Sequence, residues 1–392
     1  MKIIFSTYEA KEIGGSYLRS LSLAQGLTEL GHEVTLWTSA KEISITRKMS
    51  FEKKVKVIES IGIFPYRFRK GGYDPFDILY RSLSILFSKC DVIHTFNHRP
   101  AASVPGFIKS FFSKQTKWFL DWADLWGKGG IADRRYGRFR LIPVTLDHNF
   151  EQWFIKHAQY VTPISDDLVK KSIKIRGSEK NIFFLPIGCN IDGIKPMSKD
   201  KARKKISFPA NYKVITYLYV GTYDEVLLAK TFIALNEIRN DTFLLVLGPK
   251  NIDKFYEEFD NYPVALKKVM HPGIVSRKLL PLCLAASDIM LLPFANKEIN
   301  LGKFPNKLGD YLAAGRPIAA NPTGEVEKLL NKEKVGILAS ENPKKFAMAI
   351  SNLLDNPKKI ETLGKNSRKV AESLSWKIVA KQLEKLYSGN QS

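Results

Sequence analysis

The sequence predicts an α/β chain of two doubly wound, parallel-sheet domains. Short apolar runs alternate with amphipathic helical stretches along the chain. The pattern restarts after a polar stretch at 195–205, KPMSKDKARKK. A length of 392 residues suits two domains rather than one, and 44% hydrophobic content is enough for real cores.

The elements follow in order. KIIFST (2–7) is a short buried strand, and a Gly14-Gly15 turn leads into a helix with Leu23, Leu27 and Leu30 at i, i+4 and i+7. Gly31 stops that helix and EVTLWTS begins the next strand, completing one βαβ unit. An amphipathic helix is expected over 75–89 before the strand DVIHTF, and helices over 150–157 and 166–175 flank the strand YVTPIS. In the second half VITYLYVG, a helix near 226–238 and TFLLVLG make another βαβ unit. IMLLPF, a helix over 306–314, RPIAAN, VGILAS and two amphipathic helices follow, with a last helix over 375–387. The expected domains are 1–194 and 195–374, with 375–392 as a terminal helix. Ligands of such folds lie at the carboxyl ends of the strands, in a cleft.

The balance of charge is strongly basic: 61 Lys and Arg against 39 Asp and Glu, a formal +22. Residues 41–140 hold 20 of these cations against 9 acids. In that region aromatics interleave with cations, in FPYRFRK (64–70) and GFIKSFFSKQTKWF (106–119). Three partners suit such a face: an anionic membrane surface, an acidic acceptor, or nucleic acid. No nucleic-acid-binding signature supports the last, and a solvated lysine-rich surface remains the alternative to all three. Phe107, Lys109, Phe111, Phe112 and Lys114 are the candidate membrane contacts; the buried face of an ordinary helix is the competing account of the phenylalanines. Three widely spaced cysteines form neither a disulfide framework nor a zinc spacing. No apolar run suits a signal peptide or a membrane span. A cytoplasmic protein is expected, peripheral to the inner face of the cell membrane if the basic face docks there. No metal motif is present.

The densest chemistry lies in PFANKEINLGKFPNKLGDYLAAGRP (293–317). A helix opening after Pro305 places Lys307 in its first turn and Asp310 one turn on. A helix N-terminus offers unpaired N–H groups and partial positive charge, and a lysine there makes a phosphate seat. A carboxylate three residues on can share the same ligand and accept hydrogen bonds from a ribose diol. A plain Lys/Asp surface pair is the competing account. Gly14 and Gly15 allow close backbone approach to a phosphate or sugar. Their loop lacks the GxGxxG of a nicotinamide dinucleotide site. DWADLWG (121–127) sets Asp121 and Asp124 among tryptophans at a strand end, suited to sugar hydroxyls and ring faces; helix capping and tryptophan packing would also explain it. His94, on a strand, is a sugar or acceptor contact or a satisfied structural histidine.

FPNKLGDYLAAGRPIAA resembles the PxKLxEYxAxGxPI stretch of GT4-like retaining glycosyltransferases of the GT-B fold. Residues 14–38, 91–102, 162–168, 185–192, 219–224, 244–249 and 271–294 resemble other parts of that family in the same order. The resemblance implies two Rossmann-like domains facing across a cleft, with the last helix crossing back to the first. It implies transfer of a hexosyl unit from a nucleoside-diphosphate sugar to a glycan or lipid-linked acceptor alcohol, with retention, with no cofactor beyond the donor and with no metal. Catalytic positions then fall on Asp121 (where many members carry a histidine), Asp124 and His94. Donor positions fall on Gly14, Gly15, Gly221, Val275, Glu298, Asn300, Lys303, Lys307 and Asp310. Two departures stand out. GTYDEVLLAK lacks the family's Arg/Lys diphosphate grip, and Gly302 stands eight residues before Asp310 where the family often has a glutamate. Two alternatives follow: a nucleotide-sugar epimerase of the same fold, or a non-catalytic sugar or nucleic-acid binder.

Overall fold

The computed structural model describes residues 1–134, 141–206, 208, 211–218 and 225–389. These divide into two units: Met1–Gly188 with Leu301–Phe304 and Trp376–Ser392, and Cys189–Asn300 with Pro305–Ser375.

The first unit is built on a seven-stranded sheet: β1 (Lys2–Ala10), β2 (Glu33–Ser39), β3 (Lys48–Glu52), β4 (Val55–Glu59), β5 (Val92–Phe96), β6 (Lys117–Trp122) and β7 (Tyr160–Pro163). Its order is β3-β4-β2-β1-β5-β6-β7, parallel throughout except for the β3–β4 hairpin. That hairpin is not foreshadowed by the sequence. Its turn carries no glycine; Lys53 itself takes the left-handed conformation, φ 56°. The chain winds outward from β1 to β4 and returns to β5, so the order reverses between β1 and β5. Crevices open at the carboxyl ends of such a switch point.

The strands read as unbroken apolar runs because helices cover the sheet. Phe5, Leu36, Val57, Val92 and Phe119 share one buried cluster with Leu23 and Leu27 of the helix Gly15–Glu29. The last helix, Trp376–Ser388, lies in this unit and gives Val379, Ala380, Leu383 and Tyr387 to the same cluster. Gly26 permits the approach: a Cβ there would fall 2.6 Å from the Ala380 Cβ.

The second unit holds a six-stranded parallel sheet: β8 (Lys213–Leu218), β9 (Thr242–Leu247), β10 (Val269–Gly273), β11 (Ile289–Leu292), β12 (Ile318–Ala320) and β13 (Gly336–Leu338), in the order β10-β9-β8-β11-β12-β13. The switch point here lies between β8 and β11. Its core joins Ile215, Tyr217, Leu244, Val246, Ile289 and Leu291 to the helices Glu225–Ile238 and Pro343–Leu354.

Candidate functional site

In the second unit the helix Asn306–Ala313 follows β11, at the carboxyl end of the β8/β11 switch. Pro305 occupies its N-cap position at φ −72°, ψ 134° and offers no side-chain cap. Within the first turn the Leu308 N–H donates to the Pro305 carbonyl at 2.9 Å. The helix is fixed to the sheet by Tyr311, whose Oη accepts the Leu218 N–H at 2.8 Å. The preceding loop is fixed as well. Asn321 Oδ1 accepts from Phe294 N, Thr323 Oγ1 donates to Phe294 O, and Asn300 Nδ2 donates to Ala295 O.

Lys307 is buried. Its Nζ donates to Tyr217 Oη at 3.0 Å and sits 4.2 Å from the Tyr217 ring centroid and 5.4 Å from that of Phe294. An ammonium set against aromatic faces gains a cation–π attraction. Asp310 is half-buried, and burial raises its carboxyl from 3.8 to about 7. Among the described residues no donor or cation reaches that carboxylate. The structure thus separates Lys307 and Asp310 from the plain salt bridge that their spacing also allowed.

The other donor candidates are placed differently. Val275 is half-buried just beyond β10, beside an exposed Ile274. Glu298 lies exposed on a one-turn helix, and Asn300 is buried in its own loop bond. Lys303 belongs to the Leu301–Phe304 segment, which groups with the first unit. Gly221 lies outside the described residues.

In the first unit Gly14 and Gly15 open the helix Gly15–Glu29, with Gly14 at φ 85°. The loop is wrapped round a carboxylate that sequence reasoning missed. Glu9 Oε2 accepts the Tyr17 N–H at 2.8 Å, and a Cβ on Gly14 would lie 2.1 Å from the Glu9 carboxyl. Burial, helped by nearby Asp124, raises Glu9 to about 7. A protein carboxylate therefore occupies the helix N-terminus where a ligand anion was expected. Asp124 is half-buried beyond β6; burial raises it to about 6, Lys303 pulls it down and Asp121 pushes it up.

Three expectations are corrected here. Asp121 is 1% exposed and forms a two-pronged ion pair with Arg19, Nε to Oδ1 at 3.0 Å and Nη2 to Oδ2 at 3.0 Å. Arg19 also donates to the carbonyls of Leu185 and Pro186, so the pair ties the first helix to β6 and to the end of the unit. His94 is fully buried between Tyr387 Oη (2.6 Å) and Thr162 Oγ1 (3.2 Å); burial first, and Arg19 second, hold it well below its ordinary value. It is a structural histidine. Lys109 is not a membrane contact: it is buried, and its Nζ caps the carbonyls of Leu86 and Ser88 at the end of the helix Pro75–Leu86. Phe107 is half-buried, its ring 4.9 Å from that of Trp153. Phe111, Phe112 and Lys114 are exposed, with Lys114 Nζ 5.8 Å from the Phe111 ring centroid.

The rim beyond β5 carries further polar groups that no sequence signal disclosed. Arg99 pairs with buried Asp147, and its guanidinium lies 4.1 Å from the Trp126 ring centroid. Asn97, buried at φ 82°, has no partner for either side-chain polar atom among the described residues, and Trp126 Nε1 has none. Glu151 accepts from Trp122 Nε1, Trp126 N and Gly127 N, and so holds the DWADLWG loop. Among the described residues no group of three or more His, Cys, Asp or Glu side chains could hold a metal ion, and no helix is long and apolar enough to cross a membrane.

Residues 215–356 match the family model described as Glycosyl transferases group 1. The match spans a little over a third of the chain, almost all of it within the second unit. A curated relative, spore coat protein SA of Bacillus subtilis, is 39% identical over 85 residues, which is 21% of this chain and 22% of that protein. The chain therefore matches about a fifth of that relative's length. The sucrose-phosphate synthase of Thermosynechococcus elongatus superposes at a TM-score of 0.78, with 18% identity over 99% of this chain and 98% of that one. Anabaena Alr3699/HepE, in complex with UDP and glucose, superposes at 0.72, with 16% identity over 98% and 99%. The fold is that of the GT-B glycosyltransferases.

Proposed function

We propose that the protein transfers a hexosyl unit from a nucleoside-diphosphate sugar to an acceptor alcohol, with retention. The observation that carries this reading is the helix start at Asn306, where Pro305 offers no side-chain cap, with Lys307 Nζ set on the Tyr217 and Phe294 rings and no donor or cation reaching Asp310 among the described residues. The helix N–H groups and Lys307 suit a diphosphate, and Asp310 suits a ribose diol. Anabaena Alr3699/HepE, a structural neighbour, holds UDP and glucose, which supports a nucleotide-sugar donor.

In the reaction proposed, the acceptor oxygen bonds to the sugar's anomeric carbon as the bond from that carbon to the diphosphate oxygen breaks. The acceptor's proton passes to the departing diphosphate on the same face. This asks the protein for positioning and for charge on the leaving group, which Lys307 and the helix supply without calling on a metal. Asp124 stands ready to accept a hydrogen bond from an acceptor hydroxyl. The test is a thermal-shift titration with UDP, GDP, ADP and dTDP and their sugar conjugates. One base should raise the melting temperature, and Lys307→Ala should abolish the shift. No shift with any nucleotide overturns the donor reading.

The acceptor is proposed to be presented at an anionic membrane. Phe76, Leu79, Leu83 and Phe87 are 44%, 60%, 48% and 82% exposed and succeed each other at i+3 or i+4 steps, so they form one apolar stripe on the helix Pro75–Leu86 and its cap. That helix packs on Pro100–Phe112, which ends in the exposed Phe111 and Phe112. Phe87→Ser with Phe111→Ser should abolish sedimentation with phosphatidylglycerol vesicles; undiminished sedimentation removes this surface from the reading.

A further inference from the structure

The second unit holds a cavity of about 600 Å³ that the donor seat does not use. Its floor is made by the amino ends of three strands. Lys213 begins β8, Asp288 immediately precedes β11, and Arg316 leads into β12. The donor helix follows the carboxyl end of β11, so the two sites lie at opposite ends of the same parallel strands. One wall is the helix Pro357–Ser373 and is apolar at Ile360, opposite Leu354.

The charged lining is six Lys or Arg side chains against two carboxylates. Both carboxylates are already engaged. Asp288 accepts from Lys199 at 2.5 Å and from Arg203 at 2.8 Å, and Glu361 pairs with Lys365. Lys213 and Lys369 have no side-chain acceptor among the described residues. Arg316 spends Nη2 on the Met197 and Ala285 carbonyls, while its buried Nε finds no partner. Uncancelled cations round a half-apolar hollow favour an anion that carries its own apolar part.

We propose that this cavity binds a small organic polyanion, with at least two phosphate or carboxylate charges held by Lys213, Lys369 and Arg316, at a site separate from the donor seat. Pro196 lines the same cavity and Met197 O holds Arg316, so an occupant would fasten the segment that leads into the unit's first strand.

The test is calorimetry at low salt with inorganic pyrophosphate and, separately, citrate, on the Lys307→Ala variant, which disables the donor seat. One saturable site is expected, weakened at least tenfold by adding Lys213→Ala and Lys369→Ala. Pyrophosphate binding without citrate binding would make the ligand a phosphate compound; both binding would admit polycarboxylates. Those two lysine substitutions alone should leave nucleotide-induced thermal shifts intact, which separates failure here from failure of the donor reading. In the unsubstituted protein, pyrophosphate or citrate should protect Lys213 and Lys369 from acetylation, read by mass spectrometry. Absence of a saturable site in Lys307→Ala, binding indifferent to the lysine pair, or no protection overturns the proposal.

Discussion

Asp310→Asn is the most revealing substitution because the site holds this carboxylate at a cost to the fold. Burial raises its folded value from 3.8 to about 7. Such a shift means that unfolding favours ionisation. Below about pH 4 both states are protonated and nothing is lost. Between pH 4 and 7 the unfolded chain ionises first and stability falls, and above pH 7 the full penalty stands. Three pKa units correspond to about 4 kcal/mol, and the group's partial access to water reduces that to ~2–4 kcal/mol. Asp310→Asn should remove the penalty. Urea unfolding of the second unit should show the variant ~2–4 kcal/mol more stable at pH 8, with the difference vanishing toward pH 4. The same variant should bind the cognate nucleoside diphosphate about 10- to 100-fold more weakly, since hydrogen bonds to a charged acceptor are worth roughly 1.5–3 kcal/mol. A gain in stability with a loss of binding marks a site strained for function. Equal stability at both pH values would refute the burial reasoning, and unchanged affinity would refute the ribose role.

Other perturbations separate structure from function in the same way. Asp121→Asn should destabilise the first unit by about 3–5 kcal/mol in denaturant titrations, because it leaves Arg19 buried and charged; a purely catalytic Asp121 would leave stability untouched. Lys109→Met should lower stability by about 1–2 kcal/mol through loss of its two carbonyl caps, without changing vesicle sedimentation. Gly336→Ala would set a Cβ 1.9 Å from the Ile318 carbonyl oxygen, so pairing of β12 with β13 should loosen and hydrogen exchange at Ile318–Ala320 should accelerate.

The sequence by itself determined the alternation of strands and helices, because buried parallel strands must be apolar throughout and their covering helices amphipathic. KIIFST, DVIHTF and TFLLVLG each carry that mark. It also determined the helix start beside Lys307 and Asp310, since proline punctuation and local spacing suffice for it. The β3–β4 hairpin escaped because a lysine, not a glycine, takes its left-handed turn position. What a side chain faces was decided only by tertiary structure. Asp121 and His94 look like chemistry in a one-dimensional reading, but partners 102 and 293 residues away bury and satisfy them. Glu9 and Asp147 carry no local mark, yet long-range packing brings one to a helix N-terminus and the other to Arg99. Local hydrogen bonding and periodicity act over a few residues and are legible in order along the chain. Burial, charge pairing and the pKa of a carboxylate depend on which distant segments the sheet brings together, and those are settled only when the chain has folded.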